Sequence, residues 1–350
     1  MLPRIAAEIA QNDGWISFAR YMEIALHAPG GYYASGARKF GAEGDFVTAP
    51  ELGKLFGRTL ARQVNALLNA ERSVLEIGAG SGALAEILLN ETSSRYSILE
   101  TSPELRARQQ QRLDGRASWL DSLPQRFRGV VIANEVLDAM PVHAVAWRAE
   151  GIMERGVAAD RDKLLWKDRP ASGSLLEEAR KINPPVPYES EIGLAGQAWM
   201  RTLAERLEQG AIFVIDYGFP RHEYYHPQRA AGTLMCHHRH RAHSDVFARP
   251  GREDLTAHVD FSALALAARE AGLEVLGYAT QAQFLVNCGI TDVLGQANIE
   301  NALHYAPLAA EAGKLLSPAE MGELFKVLAV GRGLTRPLLG FSRGDRSHTL

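Results

Sequence analysis

A doubly wound α/β sheet is the fold this chain of 350 residues predicts. Three observations predict it. The apolar run Val74-Leu75-Glu76-Ile77 meets three glycines at alternate positions, Gly78, Gly80 and Gly82, and then the amphipathic stretch Ala83 to Leu89. That is a buried strand, a tight turn and a helix start. From residue 73 onward, short apolar runs alternate with stretches of helical periodicity. Acidic or amide residues close the apolar runs: Glu100, Asp121, Asn134-Glu135 and Asp216. Those are the carboxyl ends of strands, where open α/β sheets bind ligands.

The elements follow in order. Ile5, Ile9, Ile16, Phe18, Met22 and Leu26 recur at roughly helical spacing, broken near Gly14, with Ser17 as an N-cap. Pro29-Gly30-Gly31 ends the second helix, and a Gly-punctuated loop from Ser35 to Glu51 follows Tyr32-Tyr33. Leu52, Leu55, Phe56, Leu60, Val64 and Leu67 mark a helix running toward Ala70, with Thr48 as its cap and Pro50 in its first turn. After Val74–Ile77 come strands over Arg95–Leu99, Ser118–Leu120, Gly129–Ala133, Ala211–Ile215, Leu273–Tyr278 and Leu324–Val330, seven in all. Residues 140–208 and 219–260 are insertions. The first opens on an alternating run, Val142 to Trp147, that predicts a hairpin, and ends in a helix near Gly196 to Leu207. The tail after Gly331, and Gly340 to Leu350 especially, reads as loosely ordered. The organisation expected is an N-terminal helical segment with a loop over residues 1–70, then an α/β domain over 71–350.

Composition narrows the function. Hydrophobic residues make up 46% and charged residues 23%, with a net charge of −3, so there is no electrostatic case for a nucleic-acid partner. No apolar run reaches the length of a membrane span, so no membrane insertion is expected. Cys236 and Cys288 are the only cysteines, which predicts a reducing compartment. The first residues read as folded helix, neither signal nor transit peptide, so the expected location is the bacterial cytoplasm. A mitochondrial matrix location would require a presequence already removed. His237, His238, His240 and His243 crowd around Cys236, but their spacing fits no zinc pattern. No second Cys or Glu is arranged to complete a site, and Arg239 and Arg241 interleave. A surface hairpin and no metal are expected there.

The glycine loop can cradle part of a nucleotide-like cofactor. Its glycines let a ligand approach without meeting a Cβ, and the new helix points unpaired N–H groups at the same place. Gly78, Gly80 and Ala83 fit a dinucleotide pattern. Glu76, Gly78, Gly80 and Gly82 also fit E-x-G-x-G-x-G, which resembles the first motif of class I S-adenosylmethionine methyltransferases. Glu76 decides between them. A carboxylate would repel a pyrophosphate but suits the sulfonium and ammonium of S-adenosylmethionine. Glu100 is then expected on the ribose hydroxyls and Asp121 at the adenine amino group, with Asn134 at the cofactor edge. Glu135 and Asp138 would pin the planar fork of a guanidinium acceptor and localise charge away from the attacking nitrogen. Tyr32, Tyr33 and Phe46 form an aromatic lid or ordinary packing.

Several blocks together resemble the MidA-like S-adenosylmethionine-dependent methyltransferases, the family that includes the mitochondrial complex I assembly-factor methyltransferase. They are Gly30 to Tyr33, Gly44 to Glu51, Leu75 to Gly82, Asn134 to Val142, Ile215 to Gly218 and Asp254 to Phe261. The resemblance implies a seven-stranded, Rossmann-like class I methyltransferase sheet with N-terminal helices and inserted substrate-side segments. It implies S-adenosylmethionine as cofactor and a protein substrate methylated on arginine. On the quoted blocks, Tyr33, Asp45, Thr48, Glu51 and His258 are expected on the substrate side. The chain departs from the family at Cys236-His237-His238, where an aromatic follows the cysteine. Two other functions compete: a nicotinamide-dependent oxidoreductase, and an assembly chaperone that keeps the fold without turnover.

Overall fold

The computed structural model describes residues 1–34, 48–68, 73–161, 163–239, 241–298 and 300–350. Seven strands form the main sheet: β1 (Ser73–Ile77), β2 (Arg95–Leu99), β3 (Ser118–Leu120), β4 (Phe127–Asn134), β5 (Leu207–Phe219), β6 (Glu274–Thr280) and β7 (Phe325–Arg332). Their spatial order is β6-β7-β5-β4-β1-β2-β3. Neighbours from β5 across to β3 are parallel, while β7 wedges in antiparallel to both β5 and β6. A two-residue piece, Val259–Asp260, pairs in parallel with the end of β5. The chain runs β1, β2, β3 outward and then returns to place β4 on the other side of β1. The switch point therefore lies between the carboxyl ends of β1 and β4.

Period-2 alternation builds a core on each face of this sheet. Val74, Val130, Ile132, Ala211, Phe213, Ile215, Val327 and Ala329 point to one face. Leu75, Ile77, Val131, Ile212, Val214, Leu328 and Val330 point to the other. Helices α3 (Leu55–Leu67) and α4 (Ala83–Glu91) cover the first face; α6 (Leu194–Arg206) and α7 (Phe261–Glu270) cover the second. Helix α5 (Pro103–Leu113) joins β2 to β3 and is capped by the Ser102 side chain.

The N-terminal segment gives α1 (Leu2–Gln11) and α2 (Phe18–His27). Ser17 caps α2 by accepting from the Arg20 amide at 3.1 Å. Ile16 leaves the helical pattern, because Asp13 and Gly14 turn the chain through positive φ. Ile16 and Ser17 then pair antiparallel with Val157 and Gly156. The helix expected from Leu52 onward is also interrupted. Ala49–Leu52 is a separate turn, and α3 starts at Leu55. The cause is distant in sequence. Glu311, on the helix Ala302–Leu316, accepts from the amides of Leu55 at 2.7 Å and Phe56 at 3.3 Å. A side chain at Gly53 would collide with that carboxylate, 2.1 Å from its Oε2.

The first insertion opens with the expected hairpin, His143–Arg148 against Gly151–Asp160. Lys163–Pro170 and Tyr188–Ile192 extend it, and with Ile16–Ser17 they complete a five-stranded sheet. The second insertion holds a three-stranded sheet in the order Arg241–His243, Met235–His238, Asp254–Thr256, so most of the histidines do sit on a hairpin. Ile5, Phe18, Tyr21 and Met22 share a third core with Val142, Val157, Cys236 and Leu255. The N-terminal helices and both insertions thus pack as one body against the loop that follows β4, where His27 Nε2 lies 3.2 Å from the Ala139 carbonyl oxygen.

The expectation of a loose tail is wrong. The Gly340 amide donates to Gln63 Oε1, and the Tyr278 amide donates to Asp345 Oδ1 at 2.9 Å. Phe341 lies against Gly277, where a Cβ would come within 2.1 Å of its ring. Polar composition hid an anchored segment, because the residues that receive it are themselves far away in sequence. Among the described residues, no helix is long and apolar enough to cross a membrane.

Candidate active site

A crevice opens at the switch point. Glu76, Gly78, Gly80, Glu100, Asn134 and Glu135 line it, together with Tyr33, Thr48, Glu51 and Asp138. Its floor is the glycine turn. The Gly78 amide donates to the Leu99 carbonyl at 3.0 Å, carrying the β1–β2 pairing one residue beyond the strand. Gly78, Gly80 and Gly82 then take φ of +67°, +54° and +80°. A Cβ at Gly78 would lie 3.0 Å from Val136 Cγ2, so the turn also needs the space. Gly82 offers α4 no side-chain cap, which leaves the first amides of that helix free to meet a ligand. The loop is fastened from outside: Gln109 Nε2 donates to Gly80 O at 2.9 Å and Arg112 donates to Ser81 O at 3.0 Å. Ser81 Oγ bonds Glu51, drawing the Thr48–Glu51 turn over the crevice.

Two carboxylates, Glu100 and Glu76, line the crevice beside the glycine turn. Glu100 is held by the Ser102 amide at 2.9 Å and by Gln109 Nε2 at 3.0 Å. Glu76 is buried and accepts from the Tyr96 hydroxyl at 2.7 Å; burial raises its pKa to about 7. Asn134 donates to Glu135 Oε1 at 3.1 Å, and its own Oδ1 is buried with no hydrogen-bond partner among the described residues. An unsatisfied buried acceptor beside two acids fits a cationic donor, as the ammonium of S-adenosylmethionine is.

Asp121 is not among the residues lining the crevice. Its side chain is 88% exposed and it pairs with Arg106 at 2.5 Å. β3 is only three residues long, and the neighbouring α5 supplies the Arg106 that pairs with this carboxylate outside the crevice lining. Asp45, Phe46 and His240 lie outside the described residues. Tyr32 is packing, buried in the third core, whereas Tyr33 lines the crevice and stacks on His27.

The end of β4 carries the sharpest local feature. Glu135 has φ +53°, a left-handed conformation that costs a residue with a Cβ about 1–2 kcal/mol. Its amide donates to the Ile215 carbonyl at 2.8 Å, which locks the bend. Asp216, fully buried at the end of β5, accepts from the amides of Leu137 at 3.0 Å, Asp138 at 3.3 Å and Tyr217 at 2.9 Å. That carboxylate shapes the loop from beneath. Asp138 accepts from the Tyr217 hydroxyl at 2.5 Å and from the Ala139 amide at 2.9 Å. Burial first, and the Asp138 charge second, push the Glu135 carboxyl up to about 8. Burial raises Asp138 to about 6, against the opposing bond from Tyr217. Two acids that repel each other in a low-dielectric pocket are relieved by one cation between them.

Tyr217 and Asp254 were missed as site residues. Tyr33 Oη donates to Asp254 Oδ1 at 2.9 Å, joining the crevice to a neighbouring cavity. The sequence signal was the tyrosine in Asp216-Tyr217-Gly218, two residues past the apolar run that ends at Ile215. His258 lies apart from the crevice. It is wedged between the rings of Tyr217 and Phe219, and burial drives its pKa down to about 4, so it is neutral. One further correction concerns the histidine hairpin. The fold does bring a carboxylate there: ligand atoms of Cys236, His243 and Glu253 lie within 4.8 Å of one another. Glu253 already faces His243 at 3.1 Å and Arg249 at 3.6 Å, and burial raises the Cys236 thiol to about 12.

Residues 55–279 match a family model described as "Putative S-adenosyl-L-methionine-dependent methyltransferase". The chain is 30% identical to "Protein arginine methyltransferase NDUFAF7, mitochondrial" of Danio rerio, over 94% of this chain and 86% of that protein. The Drosophila melanogaster homolog is 28% identical, covering 95% and 86%. A protein from Burkholderia thailandensis, crystallised with S-adenosyl-homocysteine bound, superposes with a TM-score of 0.96 at 51% identity, covering 100% of this chain and 96% of that one. Fold, crevice chemistry and these matches agree, and they set the nicotinamide alternative aside: the chain belongs to the S-adenosyl-L-methionine-dependent methyltransferase family.

Proposed function

We propose that this chain methylates an arginine side chain of a protein, with Glu135 and Asp138 gripping the guanidinium. The single observation that carries the reading is the pair of enclosed carboxylates at the end of β4, one held in a left-handed backbone turn. Strain of that kind persists only where the surroundings over-determine it. The names of the relatives, protein arginine methyltransferases, support the same acceptor.

Bound S-adenosylmethionine supplies a methyl group on a positively charged sulfur. Glu76, Glu100, Asn134 and the Gly78, Gly80 and Gly82 turn would hold it in the crevice. Thr48 and Glu51, also lining the crevice, would shield it from water. Glu135 and Asp138, once ionised by the arriving cation, fix the planar fork so that one nitrogen faces the methyl carbon. Glu135, beside the attacking nitrogen, would take up the proton that this nitrogen gives up on methylation. Tyr217 keeps Asp138 oriented throughout.

The test is methyl transfer from radiolabelled S-adenosylmethionine into an extract of cells lacking the protein, followed by hydrolysis and amino-acid analysis. Methylarginine is expected, and it disappears in Glu135→Gln while calorimetric binding of S-adenosylhomocysteine persists. Label in another amino acid refutes the acceptor. Binding of the cofactor with no label at all would favour the chaperone reading.

A further inference from the structure

A second cavity of about 580 Å³ lies on the other side of Glu135 and Asp138, which line both spaces. The geometry points to this cavity as the route by which the acceptor side chain reaches the methyl group, with Asp254 as a third carboxylate that binds it. The inference rests on the arginine reading above and adds the path and the selectivity to it.

Its walls and its inner end have opposite character. Leu234, Met235, Met321, Leu324 and Phe325 supply apolar wall; the charged Arg229 also lines the cavity, laid over the Phe219 ring and bonded to the Glu223 carbonyl. Glu135, Asp138 and Asp254 converge at the inner end. A long apolar stem with a flat cation at its tip satisfies both, which is the chemistry of arginine. A lysine ammonium shares the stem but cannot offer separate N–H donors in one plane to three acids. The neck is built rather than accidental. Tyr33 donates to Asp254 and Tyr217 donates to Asp138, so two hydroxyls fix two of the three acids. His258 stands beside Tyr217, neutral, and adds no opposing charge at the neck.

The mouth of the cavity is formed by exposed small residues, Ala231 and Ala242. Large side chains there would fill the entrance without disturbing the core. Two experiments test the route on the full chain. In the first, Ala242→Trp and Ala231→Trp are assayed with labelled cofactor and the extract described above. Incorporation is expected to fall at least ~10-fold, while S-adenosylhomocysteine affinity stays within about twofold, since neither residue touches the crevice. The identity of the labelled amino acid reports on the arginine reading; the effect of the tryptophans reports on the route. Labelling at the wild-type rate in both variants overturns the route even if the product is methylarginine.

The second experiment needs no protein acceptor. Calorimetry with n-butylguanidinium on the chain saturated with S-adenosylhomocysteine is expected to show binding that exceeds that of n-butylammonium. Asp254→Asn should weaken it about tenfold, as loss of one charged hydrogen bond does. Equal binding of the two cations, equal binding by wild type and Asp254→Asn, or none by wild type overturns the assignment.

Discussion

Replacing Glu135 by glycine should stabilise the protein at neutral pH while abolishing methyl transfer. The backbone at this position has φ +53°. Glycine removes a strain of about 1–2 kcal/mol there and returns about 0.5–1 kcal/mol as extra freedom of the unfolded chain. The carboxylate also loses its bonds from Asn134 and from the Ala49 amide, about 1 kcal/mol each. These contributions leave the variant roughly 1 kcal/mol less stable in acid. Charge then reverses the sign. Burial raises this carboxyl from 4.5 to about 8. An acid whose folded pKa is raised gives its full relative stability below the unfolded value and loses it as pH climbs through the folded value. By pH 7 that loss is roughly 3 kcal/mol in the wild type and absent in the variant. Glu135→Gly should therefore be slightly weaker than wild type near pH 4.5, about 2 kcal/mol stronger near pH 7 and about 3 kcal/mol stronger near pH 8. Urea denaturation of cofactor-free protein across that range reads the crossing directly. A stability difference that does not move toward the variant as pH rises refutes the electrostatic account of this turn.

Three other outcomes follow from the same geometry. Glu100→Gln should weaken S-adenosylhomocysteine binding by about 10- to 100-fold, the loss of charge-assisted bonds to the ribose, measured by calorimetry. Asp121→Asn should leave that affinity unchanged within about twofold, because its side chain is 88% exposed and away from the crevice. The kcat/KM for acceptor should rise with pH as the Glu135 and Asp138 pair ionises, between about 6 and about 8. The two acids titrate together, so the profile belongs to the pair; a rate that does not rise over that range refutes the ionised-pair reading.

Much of this was legible in the sequence, and physics says which part. The central strands and their order of appearance follow from apolar runs that are buried on both faces. The glycine turn and the acids at strand ends announce the crevice because both are local patterns. What stayed hidden is non-local. Nothing near Leu52 tells that Glu311 will interrupt the helix there. Nothing in the polar tail tells that Gly277 and Gln63 will receive it. Asp254 enters the site only because Tyr33, 221 residues earlier, points at it. Asp121 fits the local pattern of a strand-end acid, and its partner Arg106, on the preceding helix, is not announced by that pattern.

The clamp that Glu311 places on Leu55 and Phe56 has a bearing on how the protein is made. The turn bearing Thr48 and Glu51 leads straight into those amides, so one wall of the crevice is set by a residue some 256 positions downstream. A ribosome emits the first helices and the glycine turn long before it emits that clamp. During vectorial synthesis the nascent chain would expose a half-walled groove until Glu311 has emerged to complete it.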